Sequence, residues 1–182
     1  MLFHTYKQDD FYSLFFIYDM WKNIIGFNIS WFGLVYVGNS FIPLCVIFLY
    51  FHYRFLVKNN SERLFMLTIW VIGIVVDSLL MYLNVFIFVE NYHLPFWLIM
   101  LWGCFSTTLC HSLKFIGSSI WFQIIAGFIA PFSYLAGYKL GAVQFSESLM
   151  FTYLILMIIW AVLFILFFAL KSTFLDKEHR HV

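Results

Sequence analysis

The fold this sequence predicts is an all-α, polytopic membrane bundle of about six spans with both termini cytoplasmic, and three observations predict it. Of 182 residues, 64% are hydrophobic and 10% charged, against roughly half and a quarter in soluble domains. Apolar runs recur at close to the ~20-residue length that carries a helix across a bilayer. Short polar breaks separate them, and the basic residues gather on one side of the resulting thread.

The runs cover about residues 23–38, 40–57, 64–89, 95–116, 119–139 and 149–170. Between the first two, Gly38, Asn39 and Ser40 form a tight-turn signal, and Pro43 fits the first helical turn that follows. Residues 1–22 precede the first span; Asp9, Asp10 and Asp19 break up their aromatic clusters, so they read as an interfacial or extension segment. A single transmembrane domain is expected over 23–171, with a charged cytoplasmic tail over 172–182. Threaded this way, one face carries Lys7, Lys22, Arg54, Lys58, Arg63, Lys114, Lys171, Lys177 and Arg180, and only Lys139 is left for the other. Retention of basic residues inside places that richer face in the cytoplasm.

Composition also excludes functions. A net charge of +1 gives no basic face for nucleic acid. Cys45, Cys104 and Cys110 all lie in apolar runs, which fits buried free thiols rather than a disulfide framework. A zinc site from Cys104, Cys110 and His111 lacks both a fourth ligand and standard spacing. No metal or other cofactor is expected. The 24% aromatic content reads as compositional bias, with Trp and Tyr near span ends as interfacial anchors.

Polar residues inside the spans are the candidates for function, because an intramembrane charge is costly and faces the protein interior. Asp77 lies 13 residues into its run, about 20 Å along a helix and close to mid-membrane. Helical geometry puts Gly73, Asp77, Met81 and Asn84 on one face, with Gly73 admitting a neighbour. In the fourth span, Cys104, Thr107, His111, Lys114 and Ser118 fall within a single stripe of about 80°, while Ser112 points elsewhere. Lys114 is near the cytoplasmic end and can snorkel. His111 must satisfy both a donor and an acceptor; it sits about 10 Å closer to the cytoplasm than Asp77, which argues against a direct dyad. The fifth span adds Gln123, Gly127, Ala130, Tyr134 and Gly141 on one side, and Ser133, Gly137 and Gly141 recur every four residues. Small residues at that spacing read first as helix packing. Pro131 should kink this span.

The segments "SWFG" at 30–33, "VDSLL" at 76–80, "LPFWLIMLW" at 94–102, "TTLCHSL" at 107–113 and "PFSYLAGYKLGA" at 131–142 resemble an uncharacterised family of small bacterial inner-membrane proteins, a domain of unknown function. The resemblance runs from Asn28 to Val143. Its members usually carry Gly where this chain has Ala130, and begin near the first span, so that "MWKNIIGFN" makes Met20 an alternative start to Met1. In the family that the chain resembles, genes are often found beside those of cyclopropane fatty acid synthase-like and other lipid-modifying enzymes. The resemblance therefore implies a role around modified membrane lipids, in the inner membrane.

Three functions follow as expectations. The first is a non-catalytic accessory protein that binds membrane lipid or a lipid-modifying enzyme, since short loops leave no room for a soluble active site. The second is a small transporter or flippase using Asp77 with His111 or Tyr134; a single unit without repeats is small for alternating access. The third is an intramembrane lipid-modifying enzyme with His111 as general base. Oligomeric state is not readable from the chain.

Overall fold

A computed structural model of the chain describes residues 2–88 and 93–175, with side chains described from Asp19 onward. Its described residues form helices α1 (Leu2–Val37), α2 (Ile42–Phe55), α3 (Asn60–Tyr82), α4 (Phe96–Ser106), α5 (Ile120–Ile129), α6 (Phe132–Lys139) and α7 (Leu149–Leu175), with short strands β1 (Phe86–Ile87) and β2 (Gln144–Phe145). The expected boundary at residue 22 falls within α1, which runs unbroken across it. α7 continues to Leu175, past the expected start of the tail at 172, and the rest of the tail lies outside the described residues.

Four helical stretches are long and apolar enough to cross a membrane: Asp19–Phe55, Asn60–Tyr82, Ile120–Lys139 and Leu149–Leu175. The first is folded back on itself. Gly38, at φ +70°, opens a 3₁₀ turn over Gly38–Phe41, and Pro43 follows near the start of α2. The arms run antiparallel, with Phe48 against Gly26 and Phe41 against Gly33; a Cβ at either glycine would collide with the ring.

The surface is that of a protein solvated by lipid. On α3, Leu64, Leu67, Val71, Val75 and Leu79 are all about half exposed and line one face. The opposite face buries Glu62, Met66, Ile69, Gly73, Asp77 and Leu80 at helical spacing. α3 meets α4 through a reciprocal fit: Trp102 lies over Gly73, Trp70 lies over Gly103, and Trp70 Nε1 donates to the Ile99 carbonyl at 2.6 Å. α5 and α7 cross closely, with Gly127 against the backbone of Ala161.

Two expected spans end early, each for a local reason. The third stops at Tyr82 rather than continuing to 89. Asn84 takes φ +56°, its N–H reaches the Met81 carbonyl, and Val85 N–H reaches that of Leu80, which together make a Schellman terminator. α6 closes the same way: Gly141 is at φ +77°, with Gly141 N–H to Tyr138 and Ala142 N–H to Gly137. Strands β1 and β2 follow these terminators and pair antiparallel, Phe86 with Phe145 and Ile87 with Gln144.

The fourth expected span is the larger correction. α4 has 11 residues, about 16 Å of helix and too short to cross a bilayer. Ser106, Thr107 and Thr108 each turn a hydroxyl back to the carbonyl three residues earlier, at 2.7–2.8 Å, which competes with continuation of the helix. Turns then occupy 107–113, and a 3₁₀ segment occupies Lys114–Ser118. The kink expected at Pro131 falls at 130–131, where α5 gives way to α6 within the single apolar stretch Ile120–Lys139.

Candidate functional site

Asp77 is fully buried and has two donors, both on other elements. Trp102 Nε1 of α4 donates to Asp77 Oδ2 at 2.6 Å, and the Tyr134 hydroxyl of α6 donates to Oδ1 at 3.1 Å. Each donor is braced by an aromatic stack. The Trp102 ring lies parallel to Trp160 of α7 at 5.4 Å, and Tyr134 stacks on Phe86 of β1 at 5.1 Å. Asp77 therefore ties α3, α4 and α6 together through rings that are themselves held in place.

Trp102, Tyr134 and Trp160 are also walls of a cavity of about 590 Å³, within the usual range of ligand pockets. Trp31 and Val35 of α1, Trp97 and Phe105 of α4, and Ile125, Ala126 and Ile129 of α5 are among the other residues that line it. Almost all of it is apolar. Several lining side chains belong to the outer surface as well: Phe115 is 61% exposed and Ile129 60%. With α1 on one side and α5 on the other, the chamber opens sideways, where lipid chains would surround the protein.

A second polar centre lies at the end of the bundle that carries Arg54, Lys58, Arg63 and Lys114. It is built around the non-helical stretch 107–113. Asn59 caps α3 by accepting from Glu62 N–H at 2.8 Å, and Glu62 Oε2 accepts from the N–H of Lys58, the residue before the cap, at 3.1 Å, one position outside a standard capping box. The free oxygen, Oε1, is 3.1 Å from His111 Nε2, an ion-pair distance without hydrogen-bond geometry. The His52 ring of α2 stands edge-on to His111, with centroids 4.7 Å apart. From α1, Asn23 donates to Thr107 Oγ1 at 2.8 Å and accepts from Ser112 Oγ at 2.6 Å. Lys171 Nζ of α7 donates to the Leu109 carbonyl at 2.6 Å. Non-helical backbone at this depth is tolerable because protein groups satisfy it.

The structure thus divides the residues singled out in the sequence. Asp77 and Tyr134 come together, and Trp102 joins them. Thr107 and His111 belong to the other centre, but not through the helical stripe expected for them, because the helix ends at Ser106. Ser112, expected to point away, is part of that centre, whereas Lys114 is exposed. His111 pairs with Glu62, which lies 15 residues before Asp77 on α3. That separates the two centres by roughly 22 Å along the axis, twice the sequence-derived offset. Asn84 leaves the Asp77 face altogether and is exposed in its turn. Gln123 is buried but does not line the cavity. Gly141 has open space around it and Gly137 makes only ordinary contacts, so the four-residue repeat is not a close helix contact, in contrast to Gly73 and Gly127. No group of three or more His, Cys, Asp or Glu among the described residues could hold a metal ion.

Sequence reasoning missed Asn23, His52, Glu62 and Trp102. Glu62 had a legible signal, Asn59-x-x-Glu62 ahead of an apolar run. Asn23 and His52 were visible as polar residues in apolar runs, but their convergence depends on the α1–α2 hairpin.

These features define a class, a multi-pass helical membrane protein with a laterally open apolar chamber and two buried polar centres. Residues 20–166 match the family described as "Protein of unknown function (DUF2878)", and the chain belongs to that family. No curated protein and no solved structure matches it.

Proposed function

We propose that this protein is a non-catalytic accessory protein of the bacterial inner membrane, oriented with both termini in the cytoplasm, that draws an apolar chain of a membrane lipid into its lateral cavity. In that role it holds the lipid for a lipid-modifying enzyme. The observation that carries the reading is the 590 Å³ apolar chamber between α1 and α5. A ligand in it needs no aqueous route, and its chain would replace solvent against Trp31, Phe105 and Trp160. Asp77 fits an anchor of the chamber wall rather than a carrier, because both of its oxygens already accept from wall residues.

Four of the seven tryptophans, Trp31, Trp97, Trp102 and Trp160, line the chamber and provide the assay. In bilayers containing phospholipids brominated along the chain, Trp160→Phe should remove a bromine-quenchable component of the emission, although the Trp160 ring is only 6% exposed. Ala126→Phe, which narrows the chamber, should reduce both the quenching and the lipid that co-purifies in native mass spectrometry. Bromine quenching unchanged in Trp160→Phe, with no retained lipid in the wild type, would remove the proposal.

A further inference from the structure

The large chamber is not equally open along its length. Toward the end of the bundle that carries Arg54, Lys58 and Arg63, its lining reaches the lipid-facing surface: Phe115 of the 3₁₀ segment is 61% exposed, and Ile125 and Ile129 of α5 are 51% and 60%. Toward the β1–β2 end the lining is sealed, with Val35 at 8%, Phe88 at 6% and Val143 at 6%. The change falls at the Pro131 kink, where α5 gives way to α6.

Beyond the kink, α6 reaches α1. A Cβ on Gly137 would stand 3.6 Å from Val143 Cγ1 and 4.0 Å from Val35 Cγ1, ordinary van der Waals distances. The side of the chamber that gapes between α1 and α5 is therefore shut between α1 and α6. No charged residue lines the chamber, and the donors on its wall are engaged: Trp102 and Tyr134 with Asp77, Ser133 Oγ with the Ala130 carbonyl at 2.7 Å, and Asn28 Nδ2 with the Ile24 carbonyl at 2.8 Å. A polar headgroup has no counterpart inside.

We infer that the chamber is a blind pouch for one acyl chain of a lipid from the leaflet at the basic end, taken methyl end first while the headgroup stays outside, and that its closed end sets the length of chain accepted. This deepens the lipid-binding reading of the chamber and rests on it. A chain held by its headgroup at the mouth extends only toward Phe88 and Val143. It gains little by leaving one apolar medium for another, so packing decides the preference. Too long a chain is overpacked against the closed end, and too short a chain leaves a void.

Native mass spectrometry of the full chain in detergent, offered a mixture of phosphatidylglycerols that differ only in the length of their saturated chains, reads the length retained. Val143→Ala should shift the preferred length up by about two carbons, the size of the two methyl groups removed. Gly137→Ala, which fits without collision, should shift it down, and decides the matter alone if Val143→Ala fails to fold. The direction of entry is read from Trp97, which lines the chamber beside the α1–α2 turn, its backbone N–H bonded to Asn39 Oδ1. In bilayers, the emission component lost in Trp97→Phe should be quenched more by phospholipid brominated near the chain methyl than by phospholipid brominated near the glycerol ester. That is the reverse of what a tryptophan at that face meets in its own leaflet. Lipid retained with no length preference, or with one that neither variant shifts, overturns the closed end and leaves the lipid-binding reading standing. Stronger quenching of the Trp97 component by bromine near the ester overturns entry from the basic end. A wild-type protein that retains no lipid overturns both the pouch and the reading beneath it.

Discussion

At the scale of single residues, the chain spends its buried polarity at two depths, and the two centres answer different demands. Asp77 is saturated by donors on α4 and α6, so its loss should be felt as stability. Hydrogen bonds between membrane helices average about 0.6 kcal/mol. Tyr134→Phe should therefore lower stability only slightly, while Asp77→Leu, which leaves two buried donors unmatched, should cost about 2 kcal/mol or more. Thermal unfolding in detergent measures both, and an Asp77→Leu protein as stable as wild type would contradict the anchoring role. Asp77 itself was conspicuous in the sequence, because a carboxylate in an apolar run needs a partner. Its partners were not conspicuous: Trp102 reads as one more aromatic in "LPFWLIMLW" until the Gly73 notch shows why it lies there.

At the scale of elements, the ends of helices carried most of the surprises. Hydropathy extends a helix as far as the apolar run goes, whereas the chain ends it where a local bond competes. Ser106, Thr107 and Thr108 stop α4, and Asn84 stops α3 inside a run that stays apolar to Val89. The hydroxyl run and the Asn were present in the sequence, but their effect depends on which backbone bond wins. Gly38 and Pro43 marked the first turn correctly, since a glycine there meets a backbone need that does not depend on packing. The two Schellman terminators give a direct test. A left-handed conformation costs an L-residue roughly 1–2 kcal/mol, so Gly141→Ala should lower thermal stability by about that amount. Asn84→Gly should be neutral or better, because glycine adopts the same φ freely. Equal effects in the two variants would mean that the turns are not fixed as described.

At the scale of the whole molecule, the basic residues gather at the end where His52, Glu62 and His111 meet, and Lys139 lies toward the end where β1 pairs with β2. The proposed orientation places the first end in the cytoplasm. In a cysteine-free background, Ser146→Cys should react with an impermeant maleimide on intact cells, while Lys58→Cys should react only after permeabilisation. The reverse pattern would invert the protein. The membrane class was readable from composition alone, but the chamber was not. It arises because α1 packs with α2 and α4 while α5 packs with α7, a pairing that no single helix encodes.

The pairing of β1 with β2 bears on the chamber in a further way. It ties the terminators of α3 and α6 together beside Tyr134, whose ring stacks on Phe86. With that end fastened, the sideways gap between α1 and α5 is the natural entrance. In the proposed role, occupancy of the chamber would follow the mole fraction of the favoured lipid in the surrounding leaflet, not any concentration in water. Saturation would be reached or lost as the composition of the membrane changes, and the loading of a protein acting in that role would be a readout of the bilayer it sits in.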